Sequence, residues 1–376
     1  MQTKSITLAE RRPRGTSASP QCQELAFNLE EDKVRNPILA AGLAAVLAVG
    51  VSSAATAKDT FTIGLSNGWV GSEWRTQMID EAEAAAKEWG KRGVTVKTIA
   101  QSSNVDVPGQ IAQIRNFINQ GVDAIIVNPN SPTAFDPIFA QAKAKGILVI
   151  STDAEVSSKD AIYVGIDQKG WAMQSAEWLA KTLKGKGNVV AINGVAGHPA
   201  NQMRVAGYRE VFGKYPGIKI INEVNANWDN AQGQQAMQNL LATYPQINGV
   251  WVQDGMAAGA WRALTDAKRT DIAATGEIRV DFLKLWKANG YNSGASVNPP
   301  GCMASALNVA VMRLQGREFK DGIFKGQYGN AIYIPIPLID SSNFEQTYEK
   351  WKDKAGYISV STVVTPEQAE AYFKKK

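Results

Sequence analysis

Short polar side chains stand directly after several segments that are predicted to be buried β-strands. In the stretch VDAIIVNPNSPTA, residues 122–134, an apolar run ends at Asn128, Asn130 and Ser131. Amide, hydroxyl and carboxylate groups form hydrogen bonds with the hydroxyl groups of a small polyhydroxylated molecule. The candidate ligand-binding residues, found at strand ends and at the start of one helix, are Trp74, Asn128, Asn130, Ser131, Asp153, Arg204, Trp228, Asp254, Glu277 and Asn298.

The charged and aromatic members of this set predict how such a ligand is held. A hydroxyl bound to a charged group contributes roughly 1.5 to 3 kcal/mol, so the carboxylates and Arg204 should select among ligands. A tryptophan ring covers the apolar C–H face of a sugar. Asn, Asp and Ser also cap the helices that follow strands, so the interpretation depends on the whole set and not on any one member.

Other kinds of chemistry find little support in the sequence. His198 is the only histidine, so no metal or catalytic cluster can be built around it, and we predict no metal, cofactor or catalytic residue. The glycine-rich loops G-x-x-x-x-G-K-[ST] and, after a strand, G-x-G-x-x-G, which bind nucleotides, do not occur. Asp254 and Glu277 could face one site, which leaves a glycosidase pair open.

The pattern of elements predicts how these residues are brought together. The chain has 376 residues, 44% of them hydrophobic, which is enough for two packed cores. FTIGLS (61–66) is predicted to be a strand, and Trp74 to Trp89 a helix; this alternation continues to about residue 155. A similar set follows YVGID (163–167). The pattern predicts an α/β fold of two lobes with parallel sheets, with the ligand between them at the carboxyl ends of the strands.

The amino-terminal region indicates export. PILAAGLAAVLAVGV (37–51) has the length of a secretory apolar segment and is shorter than the about 20 residues of a membrane span. Ala55 and Ala57 form an A-x-A cleavage site, so the mature chain should begin near Lys58 as a soluble, exported protein. Only Cys302 would then remain, which excludes an internal disulfide. The 40 basic and 35 acidic residues are spread along the chain and do not indicate a nucleic-acid partner.

Several longer stretches resemble one family. They are IGLSN, QIRNFINQGVDAIIVNPNSPTAFDPIFAQAKAKGILVISTDAE, YVGID, NQMRVAGYREVF and VWVQDGMAAGA. Together they resemble the periplasmic sugar-binding proteins of ABC importers, the group that includes ribose-binding protein, over residues 59–345. The resemblance implies two Rossmann-like lobes with parallel sheets, joined by a hinge of three crossings at 165–167, 298–300 and 334–338. The implied lobes are 58–165 plus 299–335 and 166–298 plus 336–376, after an extension and signal peptide at 1–57.

The resemblance also implies roles for particular residues. An aromatic pair of the family falls on Trp74 and Arg75, so one ring is replaced by a guanidinium, and a polar position falls on Asn130 or Ser131. The family's binding residues in the other lobe fall on Arg204, Trp228, Asp254, Glu277 and Asn298. Several of these depart from the family's residue types, so the resemblance does not identify the sugar.

The function implied is that of a monomeric periplasmic protein that captures a small sugar or polyol and delivers it to the membrane permease of an ABC importer. Two alternatives remain open. The protein could report its ligand to a chemoreceptor or kinase, or it could be an exported enzyme acting on a sugar. A related class of sugar-responsive repressors carries an amino-terminal helix-turn-helix, and this chain has an apolar export segment in its place.

Overall fold

The computed structural model describes residues 58–375, so the predicted extension and signal peptide lie outside the described residues. The first half of the described chain alternates strands and helices. Its elements are β1 (Thr60–Asn67), α1 (Glu73–Gly90), β2 (Thr95–Ser102), α2 (Val107–Gln120), β3 (Ala124–Asn128), α3 (Asp136–Ala144), β4 (Leu148–Ser151) and β5 (Ile162–Gly165).

The alternation continues through a second set. Its elements are α4 (Gln168–Thr182), β6 (Lys186–Asn193), α5 (Pro199–Gly213), β7 (Gly217–Asn225), α6 (Asn230–Thr243), β8 (Gly249–Val252), α7 (Ala257–Asp266), β9 (Ala273–Thr275), α8 (Val280–Asn289) and β10 (Ser293–Ser296). The carboxyl-terminal elements are α9 (Cys302–Leu314), β11 (Ala331–Tyr333), β12 (Leu338–Ile339), α10 (Phe344–Trp351) and α11 (Pro366–Ala369).

The strands form two six-stranded sheets of the same design. Their orders are β2-β1-β3-β4-β5-β11 and β7-β6-β8-β9-β10-β12, and every recorded pairing is parallel except that of β10 with β12. We call the first sheet with α1, α2, α3 and α9 the first lobe, and the second sheet with α4 to α8 and α10 the second lobe. The predicted α/β fold of two parallel sheets is confirmed.

Local sequence explains several helix ends near the cleft. Asp106 caps α2 by accepting from Gly109 N at 2.9 Å, and Gly121 ends that helix with φ 67°, a conformation that glycine adopts without strain. Asp167 caps α4 in the same manner by accepting from Gly170 N. These capped ends fix where each helix begins after its strand, and so they fix the geometry of the strand-end loops.

The chain passes between the lobes after β5, after β10 and between β11 and β12, at the three predicted crossings. Residues 356–365, which we call the strap, then run from α10 in the second lobe to α11, which packs on α9 of the first lobe. The residue numbers of the lobe boundaries remain a prediction. That prediction included α11 in the second lobe, and α11 packs on α9 of the first lobe.

One apolar core extends from the first lobe into the second. One buried cluster contains Ile63 and Met303 of the first lobe together with Trp251 of the second. A separate cluster fills the other face of each sheet. Among residues 58–375, no helix has the length and apolar character required to cross a membrane.

Candidate functional site

The sheet order determines where a cleft forms. In the first lobe α1 packs with α9 on one face of the sheet, whereas α2 and α3 pack together on the other face. The loops after β1 and β3 therefore diverge, and in α/β folds ligands bind at such a switch point. The second lobe repeats this arrangement after β6 and β8, with α5 packed on α4 and α6 packed on α7. A cavity of about 270 Å³ lies between these loops.

The structure brings most of the predicted binding residues to this cavity. Those that line it are Trp74, Arg75, Asp153, Arg204, Trp228, Asp254, Glu277 and Asn298. They come from both lobes and from the crossing after β10. Their roles as ligand contacts remain predictions, but their common location is a property of the fold.

Arg75 and Asp153 form a buried ion pair on the side of the first lobe. Arg75 Nη2 lies 3.3 Å from Asp153 Oδ2, and Nη1 donates to Asn67 Oδ1 at 3.0 Å. Burial lowers the pKa of Arg75, against the opposing effect of Asp153. Asp153 has φ 63° and also accepts from Gln168 Nε2 at 3.2 Å, which connects this pair to the first residue of α4.

Arg204 and Asp254 form the corresponding pair on the second lobe. Arg204 Nη1 donates to Asp254 Oδ1 at 2.6 Å, and Nε donates to Gln168 Oε1 at 2.7 Å. The guanidinium carbon lies 4.1 Å from the centre of the Trp171 ring, so the charge is held on an aromatic face. Asp254 Oδ2 accepts from Asn298 Nδ2 at 2.7 Å, which connects the pair to the crossing after β10.

Glu277 and Arg279 form a third pair. Arg279 Nη2 donates to Glu277 Oε1 at 3.0 Å, and the same carboxylate accepts from the backbone N–H groups of Gly255 and Ala258 at the start of α7. Burial raises the pKa of Glu277, and the charge of Arg279 opposes that shift. The pair therefore fixes the loop before α7 and leaves part of the Arg279 guanidinium available to the cavity.

Three tryptophans border the cavity. Trp228 adopts φ 56° after β7, and its ring lies so close to Gly194 that a Cβ there would be 2.0 Å from Trp228 Cε2. Its Nε1 donates to Gln253 Oε1 at 2.7 Å. Trp69 faces it from the first lobe with ring centres 6.4 Å apart, and Trp74 Nε1 donates to Asn298 O at 2.8 Å. The ring opposite Trp228 is therefore Trp69, whereas Trp74 adjoins the hinge.

The remaining predicted residues do not line the cavity, which corrects the expectation that the segment after β3 presents its polar groups there. Asn128 is fully buried and donates to Asp153 Oδ2 at 3.2 Å. Asn130 Nδ2 donates to Val105 O at 2.9 Å and to Gly68 O at 3.4 Å, next to Trp69. Ser131 Oγ accepts from the backbone of Ala134 at 3.2 Å. Asn128 therefore positions Asp153, Asn130 positions the Trp69 loop, and Ser131 stabilises the turn that follows it.

Sequence reasoning missed several lining residues. Trp69 follows β1 by two positions, so its residue type and its place after a strand were available as a signal. Glu73 and Arg279 lie beside residues that were selected. Ser359 belongs to the strap, far from any strand end predicted to face the cleft. Only the folded chain brings Ser359 to the site.

His198 and Cys302 do not add chemistry to the cleft. His198 caps α5 by accepting from Ala200 N at 3.2 Å, and burial lowers its pKa to about 3, so it is neutral at physiological pH. Burial raises the pKa of Cys302 to about 12, which leaves the thiol protonated and unreactive. Within the part of the chain that the structure describes, no group of three or more His, Cys, Asp or Glu residues could hold a metal ion.

Two lobes, a hinge of several crossings and a polar, tryptophan-bordered cavity between them define a two-lobed solute-binding protein. Comparison with known proteins identifies the family of this chain. Residues 63–318 match the periplasmic binding protein domain family, and the chain belongs to that family. The predicted resemblance is thereby confirmed.

Individual relatives agree in both sequence and structure. The chain is 32% identical over 306 residues to a xylitol-binding protein of Mycolicibacterium smegmatis, covering 80% of this chain and 83% of that protein. It superposes with a TM-score of 0.70 on an ABC transporter solute-binding protein from Thermobispora bispora, at 26% identity, covering 83% and 94% of the two chains. A Bacillus halodurans solute-binding protein with bound myo-inositol gives a TM-score of 0.65 at 26% identity, covering 78% and 98%.

Proposed function

We propose that the protein captures a neutral sugar or polyol of about pentose to hexose size in its cleft and delivers it to an ABC importer. The observation that carries this proposal is the charge arrangement of the cavity. Each arginine in it has a carboxylate partner: Arg75 with Asp153, Arg204 with Asp254 and Arg279 with Glu277. A ligand that is itself uncharged leaves these three pairs balanced, and Glu73 and Asp229, which also line the cavity, are further acceptors for its hydroxyl groups.

The same pairs suit hydroxyl groups in particular. A hydroxyl both donates and accepts, so it can receive a hydrogen bond from a guanidinium and give one to the neighbouring carboxylate. The cavity of about 270 Å³ lies just below the range of roughly 300 to 1,000 Å³ that holds drug-sized ligands. Trp69 and Trp228 supply apolar faces at one side. A small, flat, polyhydroxylated molecule fits each of these features.

The hydrogen bonds of the two candidate carboxylates favour a binding protein over a glycosidase. Asp254 accepts from Arg204 and Asn298, and Glu277 accepts from two backbone N–H groups and Arg279. A glycosidase needs one carboxylic acid free to protonate its substrate and a second carboxylate free to attack or activate water. Both candidate groups are held in structural hydrogen bonds, so the proposed function has no catalytic step.

The transport role draws its support from the relatives, which include a xylitol-binding protein and a solute-binding protein with bound myo-inositol. We propose that the mature protein begins near Lys58, acts as a periplasmic monomer, and closes its lobes on the ligand before docking on a permease. A sensing role through a chemoreceptor or kinase would use the same cleft and the same closure. It differs only in the partner that recognises the closed form.

Thermal shift followed by calorimetry tests the proposal. The mature protein is screened with xylitol, myo-inositol, D-ribose and D-allose, and with the charged analogues D-gluconate and D-glucosamine. A ligand at 100 times its Kd stabilises the folded state by about 2.7 kcal/mol, a shift that is readily measured. At least one neutral compound should bind, and its affinity should be higher than that of both charged analogues. Binding of gluconate or glucosamine in preference to every neutral compound would contradict the proposal.

A further inference from the structure

Two buried glutamine side chains connect separate parts of the chain at the cleft. Gln77 of α1 bonds both backbone groups of Ser359 in the strap: Ser359 N donates to Gln77 Oε1 at 2.9 Å, and Gln77 Nε2 donates to Ser359 O at 3.0 Å. Gln168, the first residue of α4, bonds two residues that line the cavity, Asp153 and Arg204. It follows the crossing at 165–167 directly, so it connects binding residues of the two lobes beside the hinge.

The amide of Gln168 is fully engaged by these two residues. Its Nε2 donates to Asp153 O at 2.7 Å and to Asp153 Oδ1 at 3.2 Å, and its Oε1 accepts from Arg204 Nε at 2.7 Å. Both N–H groups of the amide therefore have an acceptor. Gln168 is 3% exposed, and the residues that line the cavity do not include it. Any effect of this side chain on a ligand passes through Asp153 and Arg204.

Asp153 needs this support because its backbone is strained. Its φ is 63°, and Ala154 N donates to Thr152 O at 2.7 Å, so Asp153 is the central residue of a three-residue turn. Turns of this kind with positive φ are rare and strained, and they persist only where surrounding groups hold them. Gln168 bonds both the carbonyl and the carboxylate of Asp153. It therefore helps to set the direction in which this carboxylate faces Arg75 and the cavity.

The orientation of Arg204 depends on the same amide. Its Nε donates to Gln168, its Nη1 donates to Asp254 at 2.6 Å, and its guanidinium lies on the Trp171 ring. The guanidinium is planar, so bonds at two of its nitrogens, together with the ring below it, fix the plane of the whole group. Without Gln168, the bond to Asp254 alone would set the direction of the donors.

An amide of this length suits both partners. Asp153 offers only acceptors and Arg204 only donors, so the group between them must both donate and accept. An ionised glutamate has no donor for Asp153, and a lysine has no acceptor for Arg204. The result is a continuous chain of hydrogen bonds from Arg75 through Asp153, Gln168 and Arg204 to Asp254.

We propose that Gln168 is a positioning residue that joins the Arg75–Asp153 and Arg204–Asp254 pairs into one network across the hinge. Both pairs then meet the ligand in a fixed relative orientation. The inference rests on the proposed function, because the residues that Gln168 holds are the candidate ligand contacts. A role in folding alone would lower the stability of a Gln168 variant and leave the affinity of its folded form unchanged.

Replacement of Gln168 by methionine tests the link. Methionine keeps the length of the side chain but removes its donor and its acceptor. The probe is whichever of xylitol, myo-inositol, D-ribose and D-allose the wild type binds most tightly. Calorimetry should show that Gln168→Met lowers the affinity for this probe more than tenfold, which is 1.4 kcal/mol. Urea unfolding of the same samples measures stability separately.

Replacement by glutamate adds a readout in pH. The ionised carboxylate accepts from Arg204 but cannot donate to Asp153, whose carboxylate it repels; these are the charged groups in contact with the position, and their own partners are Arg75 and Asp254. From about pH 8 to about pH 5 the introduced group gains a proton, and the acid donates and accepts as the amide does. The affinity of Gln168→Glu relative to the wild type should be reduced at the higher pH and rise at least threefold at the lower one.

Gln235→Glu is the matched control, because it introduces the same group on the exposed side of α6. Its affinity should stay within twofold of that of the wild type at each pH. The comparison with the wild type at each pH removes the effect of other groups in the site that titrate. Gln168→Glu keeps a polar side chain and carries the test if Gln168→Met does not fold.

The outcomes separate the two proposals. If folded Gln168→Met binds within twofold of the wild type, or if the relative affinity of Gln168→Glu does not rise as the pH falls, Gln168 is not a positioning residue and the proposed function stands. If the wild type prefers gluconate or glucosamine, the proposed function fails, and a loss above tenfold for that compound in Gln168→Met would still support the positioning role. A wild type that binds no compound of the screen would overturn both.

Discussion

Replacement of Arg204 by methionine should separate the binding role of the charged pairs from their role in stability. Arg204 is 2% exposed and connects Asp254, Gln168 and the face of Trp171. Methionine keeps the length and apolar stem of the side chain but removes every donor. Asp254 would then keep a hydrogen bond from Asn298 alone.

The expected magnitudes follow from burial. Removal of one partner from a buried ion pair costs about 3 to 5 kcal/mol. The side chain of Asp254 is 15% exposed, so partial solvation should hold the loss of unfolding free energy near the lower end, about 3 kcal/mol. A hydrogen bond from a charged donor to a ligand hydroxyl contributes roughly 1.5 to 3 kcal/mol, so the affinity should fall by a factor of about 10 to 150.

Urea unfolding of the free protein and calorimetry with the best ligand of the screen measure the two effects. Arg209→Met is the matched control, because Arg209 lies on the same helix and pairs with Glu223 at the exposed surface. Exposed pairs contribute about 0 to 1 kcal/mol, so this variant should be nearly as stable as the wild type and bind equally well. If folded Arg204→Met binds within twofold of the wild type, Arg204 is not a ligand contact.

Four other outcomes are expected. Tryptophan fluorescence should change on ligand binding, and alanine at Trp69 or Trp228 should lower the affinity more than tenfold; normal binding by both variants would place the site elsewhere. Gln77→Leu leaves the backbone groups of Ser359 without partners, so urea unfolding should show a loss of about 2 kcal/mol or more, at about 1 to 3 kcal/mol for each buried group. Burial lowers the pKa of His198 to about 3 from an ordinary value of 6.5. As the pH falls below 6.5, the unfolded state therefore binds a proton at this histidine before the folded state does, and the folded state loses stability. The free energy of unfolding should fall by about 1 kcal/mol between pH 7 and 5.5, and this part should vanish in His198→Asn, whose side chain can still cap α5. Mass spectrometry of periplasmic protein should find Lys58 as the first residue, and recovery there of chains that retain residues 1–57 would contradict the cleavage prediction.

The fold could be predicted because its signals are local. The apolar run before Asn128 and the spacing of apolar residues from Trp74 to Trp89 each report on a single element, and β3 and α1 lie within a few residues of the predicted bounds. Alternation of strand and helix then allows few arrangements, because parallel strands require crossover helices. The path of the strap has no such signal, since it is extended chain without period or motif.

The site was predictable in residue type but not in side-chain direction. Asn130 follows β3 and Arg204 lies in α5, and both residue types suit a sugar; yet Asn130 bonds to Gly68 and Val105, while Arg204 lines the cavity. The difference depends on which backbone carbonyls lie nearby, and those come from distant segments. For the same reason Trp69 could not be distinguished from Trp74 as the ring that faces Trp228.

The position of the strap has a consequence for biosynthesis. A chain is made from its amino end, and the sheet of the first lobe is not complete until β11 has been synthesised. Ser359, which lines one side of the cavity, is synthesised only after the last strands of both sheets, β11 and β12. A nascent or truncated chain that stops before residue 356 lacks this wall and leaves Gln77 without its partners. Such a fragment would contain every strand of both sheets and still have an incomplete cavity, so the order of synthesis separates formation of the sheets from completion of the cleft.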